Sequence, residues 1–224
     1  MSNLFRPRLD ILPAALQRLW PELSTTPDHF VLYGGTAIAL RLGHRVSVDF
    51  DFFTQEPFEP NSLVAELPYL KDAVVRQSRA NTLTVTVERG APVQLSFFGD
   101  LGLGQVAAED VAEGPLLKVA SLLDLAGTKA AVVTQRAEMK DYLDIHVLLT
   151  KGNMTLSKML AAATAIYGAQ FNPLVSLKAI AYHDDPALAE LPQKVRRDLV
   201  EAVKAANPEK LPVLNAIRPR KASP

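Results

Sequence analysis

The sequence has 224 residues, of which 48% are apolar and 21% are charged, so the chain is long enough to bury a hydrophobic core. This composition excludes a wholly disordered chain, a collagen-like repeat and a coiled coil. The 24 basic and 24 acidic residues cancel, so no global field draws the protein to nucleic acid or to an anionic membrane. The absence of cysteine excludes disulfides and thiolate chemistry, and it favours a cytoplasmic location. No apolar run is long enough to span a membrane.

Short helical and strand patterns alternate in the first part of the chain. Apolar residues at helical spacing predict an amphipathic helix over residues 9–20. The apolar run Phe30–Tyr33 ends at two glycines and is followed by a helical pattern over Thr36–Leu42, which predicts a strand, a glycine turn and a helix. The alternation of Ser47–Phe53 predicts a second strand. Three further strands are predicted at Ala73–Ser78, Asn81–Val87 and Val93–Phe98.

The pattern becomes helical from about Val111. Helices are predicted over residues 121–133, from about residue 138, and over Leu156–Tyr167, Pro173–Ala181 and Gln193–Ala206. The glycine-rich stretch Gly99–Gly104 is the best candidate for a loop between the two halves. We therefore expect an α+β protein, with a small mixed-sheet core in residues 1–110 and an all-helical domain in residues 111–224.

The most informative stretch is a pair of glycines followed by two aspartates. Gly34 and Gly35 follow a strand and precede a helix, where unpaired backbone N–H groups bind anions such as phosphate. Asp49 and Asp51 are one period apart on a strand, so their carboxylates share a face and repel each other unless a cation intervenes. Mg²⁺ suits such a pair because it accepts one or two carboxylates together with phosphate oxygens and water. Phosphate beside Mg²⁺ indicates nucleotide chemistry.

Each of these patterns also has an ordinary structural interpretation. Two glycines after a strand most often form a simple turn. An Asp-x-Asp pair most often lies on a solvated strand face. The order of the two patterns, separated by one helix, favours the functional interpretation.

This stretch resembles the first motif of the AbiEii/AbiGii-type toxin nucleotidyltransferases, a branch of the minimal nucleotidyltransferases in the polymerase-β-like superfamily. The resemblance covers Tyr33–Phe53 almost throughout. Asp124–Lys129, Arg136 and Lys140–Asp144 are similar to the family's lysine, arginine and Lys-Asp-x-x-Asp motifs. Leu177–Asp185 is similar to a C-terminal signature of free-standing members. The resemblance implies a nucleotidyltransferase core followed by helices.

The resemblance also implies a role for each matched residue. The implied Mg²⁺ ligands are Asp49 and Asp51, which with Lys129 form the catalytic set. The implied nucleotide-binding residues are Gly34, Gly35, Thr36, Ser47, Arg136, Lys140, Asp141 and Asp144. Lys129, with Arg136 and Lys140 near it, would neutralise phosphate charge; the alternative is a solvated basic stripe. Asp141 and Asp144 would position Lys140 or the sugar or base of the nucleotide, and the alternative is that they are surface acids.

One position departs from the superfamily pattern. Polymerase-β-like enzymes usually add a third carboxylate from a neighbouring strand, but here the predicted strand has Gln94 and Ser96 at the alternate positions. Glu88 and Asp100 are the nearest acids in the sequence, and neither is at the expected place. A hydroxyl or an amide is a poorer general base than a carboxylate and adds no negative charge to a metal site.

The expected function is Mg²⁺-dependent transfer of a nucleoside monophosphate from an NTP to a hydroxyl of RNA, tRNA ends in particular, or of a protein. The resemblance implies a toxin whose partner is a neighbouring antitoxin, and the neutral charge and the lack of a long apolar run predict no membrane partner. The alternative is a nucleotide-binding regulatory protein that is catalytically weakened or inactive because it lacks the third carboxylate.

Overall fold

A computed structural model describes residues 3–220, which form two compact units. The first unit contains the described residues up to Gly102 together with Ala108–Ala120. The second contains Leu103–Ala107 and the described residues from Ser121 onward. None of the helices formed by residues 3–220 has the length and apolar character that a bilayer crossing requires.

The first unit is built on a mixed sheet. Its strands are β1 (Leu4–Phe5), β2 (Val31–Tyr33), β3 (Asp49–Phe53), β4 (Val74–Arg79), β5 (Thr82–Glu88), β6 (Pro92–Phe98), β7 (Asp110–Ala112) and β8 (Leu117–Val119). Their order across the sheet is β1-β7-β8-β2-β3-β6-β5-β4. β3 pairs antiparallel with β2 and parallel with β6, while β5 pairs antiparallel with both β4 and β6. The mixed sheet predicted from the sequence is therefore confirmed.

The predicted helix over residues 9–20 is broken in the structure. A 3₁₀ turn at Leu9–Ile11 precedes the helix α1 (Ala14–Leu19), and a second 3₁₀ segment follows at Trp20–Thr25. Pro13 explains the first break because proline has no N–H for the helical ladder, so it is tolerated only at the edge of α1. The unit also contains α2 (Gly34–Leu42), directly after β2, and α3 (Pro60–Glu66).

Strands β3, β5 and β6 bury one face of the sheet. The buried side chains on this face are at most 1% exposed and are Phe50, Phe52, Leu83, Val85, Val87, Val93, Leu95 and Phe97. The period-two alternation of the sequence produces this face, because every second side chain points to the same side of a strand. Burial of large apolar side chains fixes the register of these strands, since a shift of one residue would expose the whole set.

The second unit is helical. Its α-helices are α4 (Leu122–Val132), α5 (Met139–Thr150), α6 (Leu156–Tyr167), α7 (Pro173–Ala181) and α8 (Gln193–Ala205). Ser121 caps α4 by accepting a hydrogen bond from the N–H of Asp124 at 3.0 Å, as the predicted capping box requires. Gly127 allows α4 to pack closely on α6, because a Cβ there would lie 2.9 Å from the backbone of Ala162. The prediction of a helical C-terminal half is confirmed.

The structure divides the chain differently from the predicted boundary after residue 110. Strands β7 and β8 form an antiparallel hairpin that joins the sheet of the first unit, where β8 pairs with β2 and β7 with β1. These strands have three residues each, which is too short for a periodic pattern to be recognised. Only their pairing with distant strands shows that residues 108–120 belong to the first unit.

Candidate active site

The glycine turn connects β2 directly to α2. Gly34 is the first residue of α2 and has a φ of +75°, a left-handed conformation that favours glycine. A Cβ at Gly34 would lie 2.7 Å from Oδ2 of Asp51, so a larger residue would push against that carboxylate. The N–H groups in the first turn of an α-helix have no intrahelical acceptor and favour an anion. The turn thus brings anion-binding backbone beside a carboxylate.

The aspartate pair lies on β3, next to this turn. Asp49 and Asp51 alternate with Phe50 and Phe52, which are fully buried, so both aspartates lie on the opposite, half-buried face. Asp51 is paired with Tyr33 across β2 and β3, immediately before the glycine turn. The strand register therefore explains why the carboxylate reaches Gly34.

Two buried hydroxyls support Asp49. Oγ1 of Thr36 lies 2.5 Å from the backbone oxygen of Asp49, 3.2 Å from Oδ1 of the same residue and 2.6 Å from Oγ of Ser47. Thr36 and Ser47 are each 1% exposed. Because a buried hydroxyl needs partners, this network fixes α2 against the start of β3. The side chains of Thr36 and Ser47 thus hold Asp49 in place, while the backbone of Thr36 belongs to the first turn of α2.

The position of the third carboxylate is occupied by neutral side chains. In the parallel pairing of β3 and β6, Gln94 is opposite Asp49 and Ser96 is opposite Asp51. Glu88 is paired with Pro92 beside the turn of the β5–β6 hairpin, and Asp100 lies beyond the end of β6. Within residues 3–220 no three histidine or acidic side chains form a group that could hold a metal ion.

The carboxylate pair fits Mg²⁺ bound together with a nucleotide. Mg²⁺ in phosphate-transfer sites usually has one or two protein carboxylates and takes its other ligands from phosphate oxygens and water. Asp49 and Asp51 supply two carboxylates, and the glycine turn lies against Asp51 at the place where a phosphate would meet the helix N-terminus. The donor set is therefore suited to a metal that arrives with its substrate.

A second cluster of predicted site residues lies in the helical unit. Nζ of Lys129, on α4, lies 2.6 Å from Oδ1 of Asp141 and 2.7 Å from Oδ2 of Asp144, both on α5. Nε of Arg136 donates to Oδ2 of Asp141 at 2.9 Å. Lys140 pairs instead with Glu138 at 3.0 Å, and its side chain is 45% exposed.

The interpretation of Asp141 and Asp144 as surface acids is wrong, because both are 0% exposed. The interpretation of Lys129 as part of a solvated basic stripe is also wrong, because its side chain is only 8% exposed. Two buried carboxylates require compensating cations, and Lys129 and Arg136 provide them. Arg136 lies between α4 and α5, so the three basic residues do not share one continuous helix.

The sequence reasoning missed the pairing of Lys129 with Asp141 and Asp144. One signal was available: the two aspartates are three residues apart on a helix and are each followed by an apolar residue, Tyr142 and Ile145, so they lie beside a face rich in apolar side chains. The predicted site residues thus form two groups. The glycine turn, Thr36, Ser47 and the carboxylate pair come together in the first unit, and Lys129, Arg136, Asp141 and Asp144 come together in the second.

Comparison with known proteins gives a family match, a relative in sequence and similar solved structures. Residues 16–218 match the family model described as the nucleotidyl transferase AbiEii toxin of type IV toxin–antitoxin systems. An uncharacterized protein of Aquifex aeolicus (strain VF5), aq_aa25, is 28% identical over 161 residues, which cover 70% of this chain and 75% of that protein.

Two solved structures share the fold. A candidate nucleotidyltransferase from H. pylori has a TM-score of 0.54 at 17% identity and covers 85% of this chain and 91% of its own. MenT4, a nucleotidyltransferase toxin from Mycobacterium tuberculosis H37Rv, has a TM-score of 0.52 at 16% identity, with 86% and 82% covered. At these identities the likeness establishes the fold.

Proposed function

Because this chain belongs to the AbiEii family of nucleotidyltransferase toxins, we propose that it transfers a nucleoside monophosphate from an NTP to an acceptor hydroxyl and releases pyrophosphate. The observation that carries the proposal is the contact between the glycine turn and the carboxylate pair. Gly34 leaves room for Oδ2 of Asp51 where a Cβ would be only 2.7 Å away, so anion-binding backbone and a cation-binding carboxylate adjoin. A phosphate accompanied by a divalent cation suits both.

Different residues of the first unit would bind the phosphates and the metal ion. The N–H groups at the start of α2, from Gly34 to Thr36, would hold phosphate oxygens. Asp49 and Asp51 would hold Mg²⁺, which when bound neutralises charge that develops on the phosphates. Thr36 and Ser47 fix the orientation of Asp49 through the hydroxyl network. Phosphoryl transfer depends mainly on such positioning and on electrostatic stabilisation.

The basic residues of the second unit have two different roles in this proposal. Arg136 and Lys140 keep 43% and 45% of their side chains exposed, so they are the cations that can contact phosphate directly. Lys129 is buried and holds Asp141 and Asp144, and Asp141 in turn accepts from Arg136. Lys129 therefore acts by positioning, through the carboxylate that orients Arg136.

The acceptor and the cellular role follow from the family. We propose an RNA or a protein hydroxyl as the acceptor, a cognate antitoxin as the partner and the cytoplasm as the location. The hydroxyl that receives the nucleotide must lose its proton. A carboxylate takes up a proton more readily than the neutral hydroxyl of Ser96 does.

A second candidate function rests on the register of β3 and β6. Ser96 and Gln94 stand opposite the two aspartates, where a third acid would be expected. A chain with two carboxylates can still bind a nucleotide with its cation, because Mg²⁺ needs no third carboxylate. This candidate is a regulatory protein that binds NTP and transfers nothing.

The experiment that separates the two functions is a transfer assay with each labelled ribonucleoside triphosphate, Mg²⁺, and either total RNA or lysate protein. The wild type should label an acceptor. Asp51→Asn, which keeps the shape and removes the charge, should reduce labelling by about 100-fold or more, as loss of a charge-stabilising group usually does.

The matched control is Asp72→Asn, which makes the same chemical change at an exposed acid of the same unit. It should leave labelling unchanged. NTP binding by the wild type without label on any acceptor would support the regulatory function. Equal labelling by wild type and Asp51→Asn would contradict the proposed role of the carboxylate pair.

A further inference from the structure

A cavity of about 250 Å³ lies in the first unit, away from the candidate active site. Two segments enclose it: the chain between Leu23 and Phe30, ahead of β2, and the chain from Gly114 to Lys118, where β7 turns into β8. Phe30 immediately precedes β2 and Gly34 immediately follows it. A strand rises about 3.3 Å per residue, so roughly 13 Å separates the cavity wall from the glycine turn. The cavity is therefore a separate candidate site.

Much of the cavity wall is apolar. Leu23, Phe30 and Leu117 line it and are at most 4% exposed, so they form a fixed part of the wall. Leu116 lines it too, but this side chain is 67% exposed and its φ is +55°. A leucine in the left-handed region is uncommon, and strained backbone of this kind concentrates at ligand-binding sites. An apolar group in the cavity would cover this leucine.

Lys118 provides a cation at the cavity. Its Nζ donates to the backbone oxygen of Asp28 at 3.0 Å. An ammonium has three N–H donors, and the carboxylate of Asp28 lies 3.9 Å from Nζ, which is beyond hydrogen-bond distance. The side chain of Asp28 is 94% exposed, so water weakens its attraction for the ammonium. Lys118 therefore keeps donors for an anionic group.

A buried donor without an acceptor adjoins the same wall. Trp20 is the single tryptophan of the chain and is 3% exposed. Within residues 3–220 its Nε1 has no hydrogen-bond partner. A Cβ on Gly114 would lie 3.3 Å from this nitrogen, so the N–H is next to a residue that lines the cavity. Buried N–H groups are rarely left without an acceptor, and an oxygen of a bound molecule would supply one.

We propose that this cavity binds a small organic anion, namely a carboxylate that carries an apolar chain or ring. The carboxylate pairs with the ammonium of Lys118, and the apolar part packs on Leu23, Phe30 and Leu117. The volume is slightly below the range of about 300–1,000 Å³ that is typical of drug-sized ligands, so the ligand is small. A nucleoside triphosphate suits the cavity poorly, because Lys118 is the one basic side chain among the residues that line it. The inference is independent of the proposed function.

Two simpler interpretations of the cavity account for less of the structure. An empty packing defect is expected to be apolar throughout, but here an ammonium forms part of the wall. Water alone could satisfy Lys118 and Trp20. It would explain neither the apolar wall nor the exposed Leu116 in its left-handed conformation.

The test follows tryptophan fluorescence during titration with octanoate. Because Trp20 is the single tryptophan and adjoins the wall, its emission reports on this cavity. The wild type should show a saturable change in emission. Affinity should rise along butanoate, hexanoate and octanoate by about 10-fold for every two carbons, since each CH₂ is removed from water. Octanamide, the neutral analogue, should bind at least about 5-fold more weakly, because it forms no charge-assisted hydrogen bond between ions.

Two substitutions change the charge at the cavity in opposite directions. Lys118→Met keeps an apolar stem but removes the ammonium, so it should weaken octanoate binding by about 5-fold or more. Asp28→Asn removes the neighbouring negative charge and keeps the backbone acceptor, so it should strengthen binding by about 2-fold. The matched control is Lys71→Met, the same change at an exposed lysine of the first unit that does not line the cavity. It should bind octanoate like the wild type.

Several outcomes would overturn the inference. These are the absence of a saturable change in the emission of Trp20, equal affinity for octanoate and octanamide, and equal weakening by Lys118→Met and Lys71→Met. In the transfer assay without octanoate, Lys118→Met should label the acceptor as the wild type does. Loss of labelling in this variant would place Lys118 in the active site and contradict a separate cavity. Octanoate binding as predicted by a wild type that labels no acceptor would contradict only the proposed function.

Discussion

Two pairs of aspartates with similar spacing differ in burial in this protein. On β3, Asp49 and Asp51 are two residues apart and half-buried, beside the glycine turn. On α5, Asp141 and Asp144 are three residues apart and 0% exposed, and both bind Nζ of Lys129. Asp49 accepts a hydrogen bond from Oγ1 of Thr36, whereas both carboxylates of the helix pair bind the ammonium of Lys129.

This difference in burial favours the β3 pair over the α5 pair as the proposed metal site. A fully buried carboxylate is stable only when a paired charge and hydrogen bonds replace its hydration, so Asp141 and Asp144 require Lys129 whether or not substrate is present. The half-buried pair on β3 keeps part of its hydration. It is therefore the pair suited to a metal ion that enters with a nucleotide.

Removal of the lysine should produce the largest change in stability. Lys129→Ala leaves two carboxylates buried without their ammonium partner, and loss of one side of a buried ion pair generally costs about 3–5 kcal/mol. Denaturant unfolding should show this loss in the free energy of unfolding. Lys140→Ala, on the exposed lysine that pairs with Glu138, should change stability by less than about 1 kcal/mol.

The Lys129 variant tests whether the buried aspartates of α5 depend on their lysine. If Lys129→Ala unfolds at the denaturant concentration of the wild type, the helix pair does not depend on its lysine. Where the variant fails to fold, Lys129→Met combined with Asp141→Asn and Asp144→Asn should recover much of the stability, because the uncompensated charges are then gone.

Substitution of the first glycine should affect the site more than the fold. Gly34→Ala places a Cβ in a left-handed conformation, which costs about 1–2 kcal/mol, and directs it at Oδ2 of Asp51. Gly90→Ala has a similar positive φ, but its Cβ meets the flexible guanidinium of Arg18. Both variants should lose similar stability in thermal unfolding, while Gly34→Ala alone should lose nucleotidyl transfer, by roughly 10-fold or more.

Equal transfer by the two glycine variants would contradict this expectation. It would mean that the contact between the glycine turn and Asp51 does not set the position of the carboxylate. NTP binding should follow the same order, with Gly34→Ala weaker than Gly90→Ala, because the altered glycine begins the helix that is proposed to hold the phosphates.

The smallest effect is expected at a half-buried aspartate that also has two basic partners. Asp198 on α8 accepts from Lys194 at 2.6 Å and lies 2.8 Å from Nε2 of His146 on α5. The hydrogen bonds from Lys194 and His146 hold the pKa of Asp198 below its usual value. The resulting stabilisation is present above the ordinary aspartate pKa of about 3.9 and is lost as the pH falls through the lowered pKa of the folded state.

Asp198→Asn should therefore lower the midpoint of thermal unfolding slightly at neutral pH. The difference from the wild type should shrink as the pH falls below the ordinary aspartate pKa of about 3.9 and the native carboxylate becomes protonated. A difference that persists unchanged through this range would show that the contribution of Asp198 does not depend on its charge. Unlike Lys129→Ala, Asp198→Asn leaves no buried charge without a partner. We therefore expect it to have the smallest effect on stability.

Local patterns predicted the regular elements well where the signal lies within one element. Helices α6 and α7 have the predicted bounds, and the β5–β6 hairpin follows the alternation of its two strands. The prediction over residues 9–20 was wrong because proline divides the helix into shorter pieces. The β7–β8 hairpin was missed because strands of three residues acquire their identity from pairing with distant strands.

The sequence by itself determined that Asp49 and Asp51 share a strand face and that a glycine turn precedes them, because side-chain direction follows from the period of the strand. It also showed that no acid lies on the predicted strand Val93–Phe98. Only the tertiary structure decided that Oδ2 of Asp51 lies against Gly34, that Ser96 is the residue opposite it, and that Lys129 is held by Asp141 and Asp144. These contacts join residues far apart in the chain, and the register of paired strands and the packing of helices, which set them, depend on the whole core.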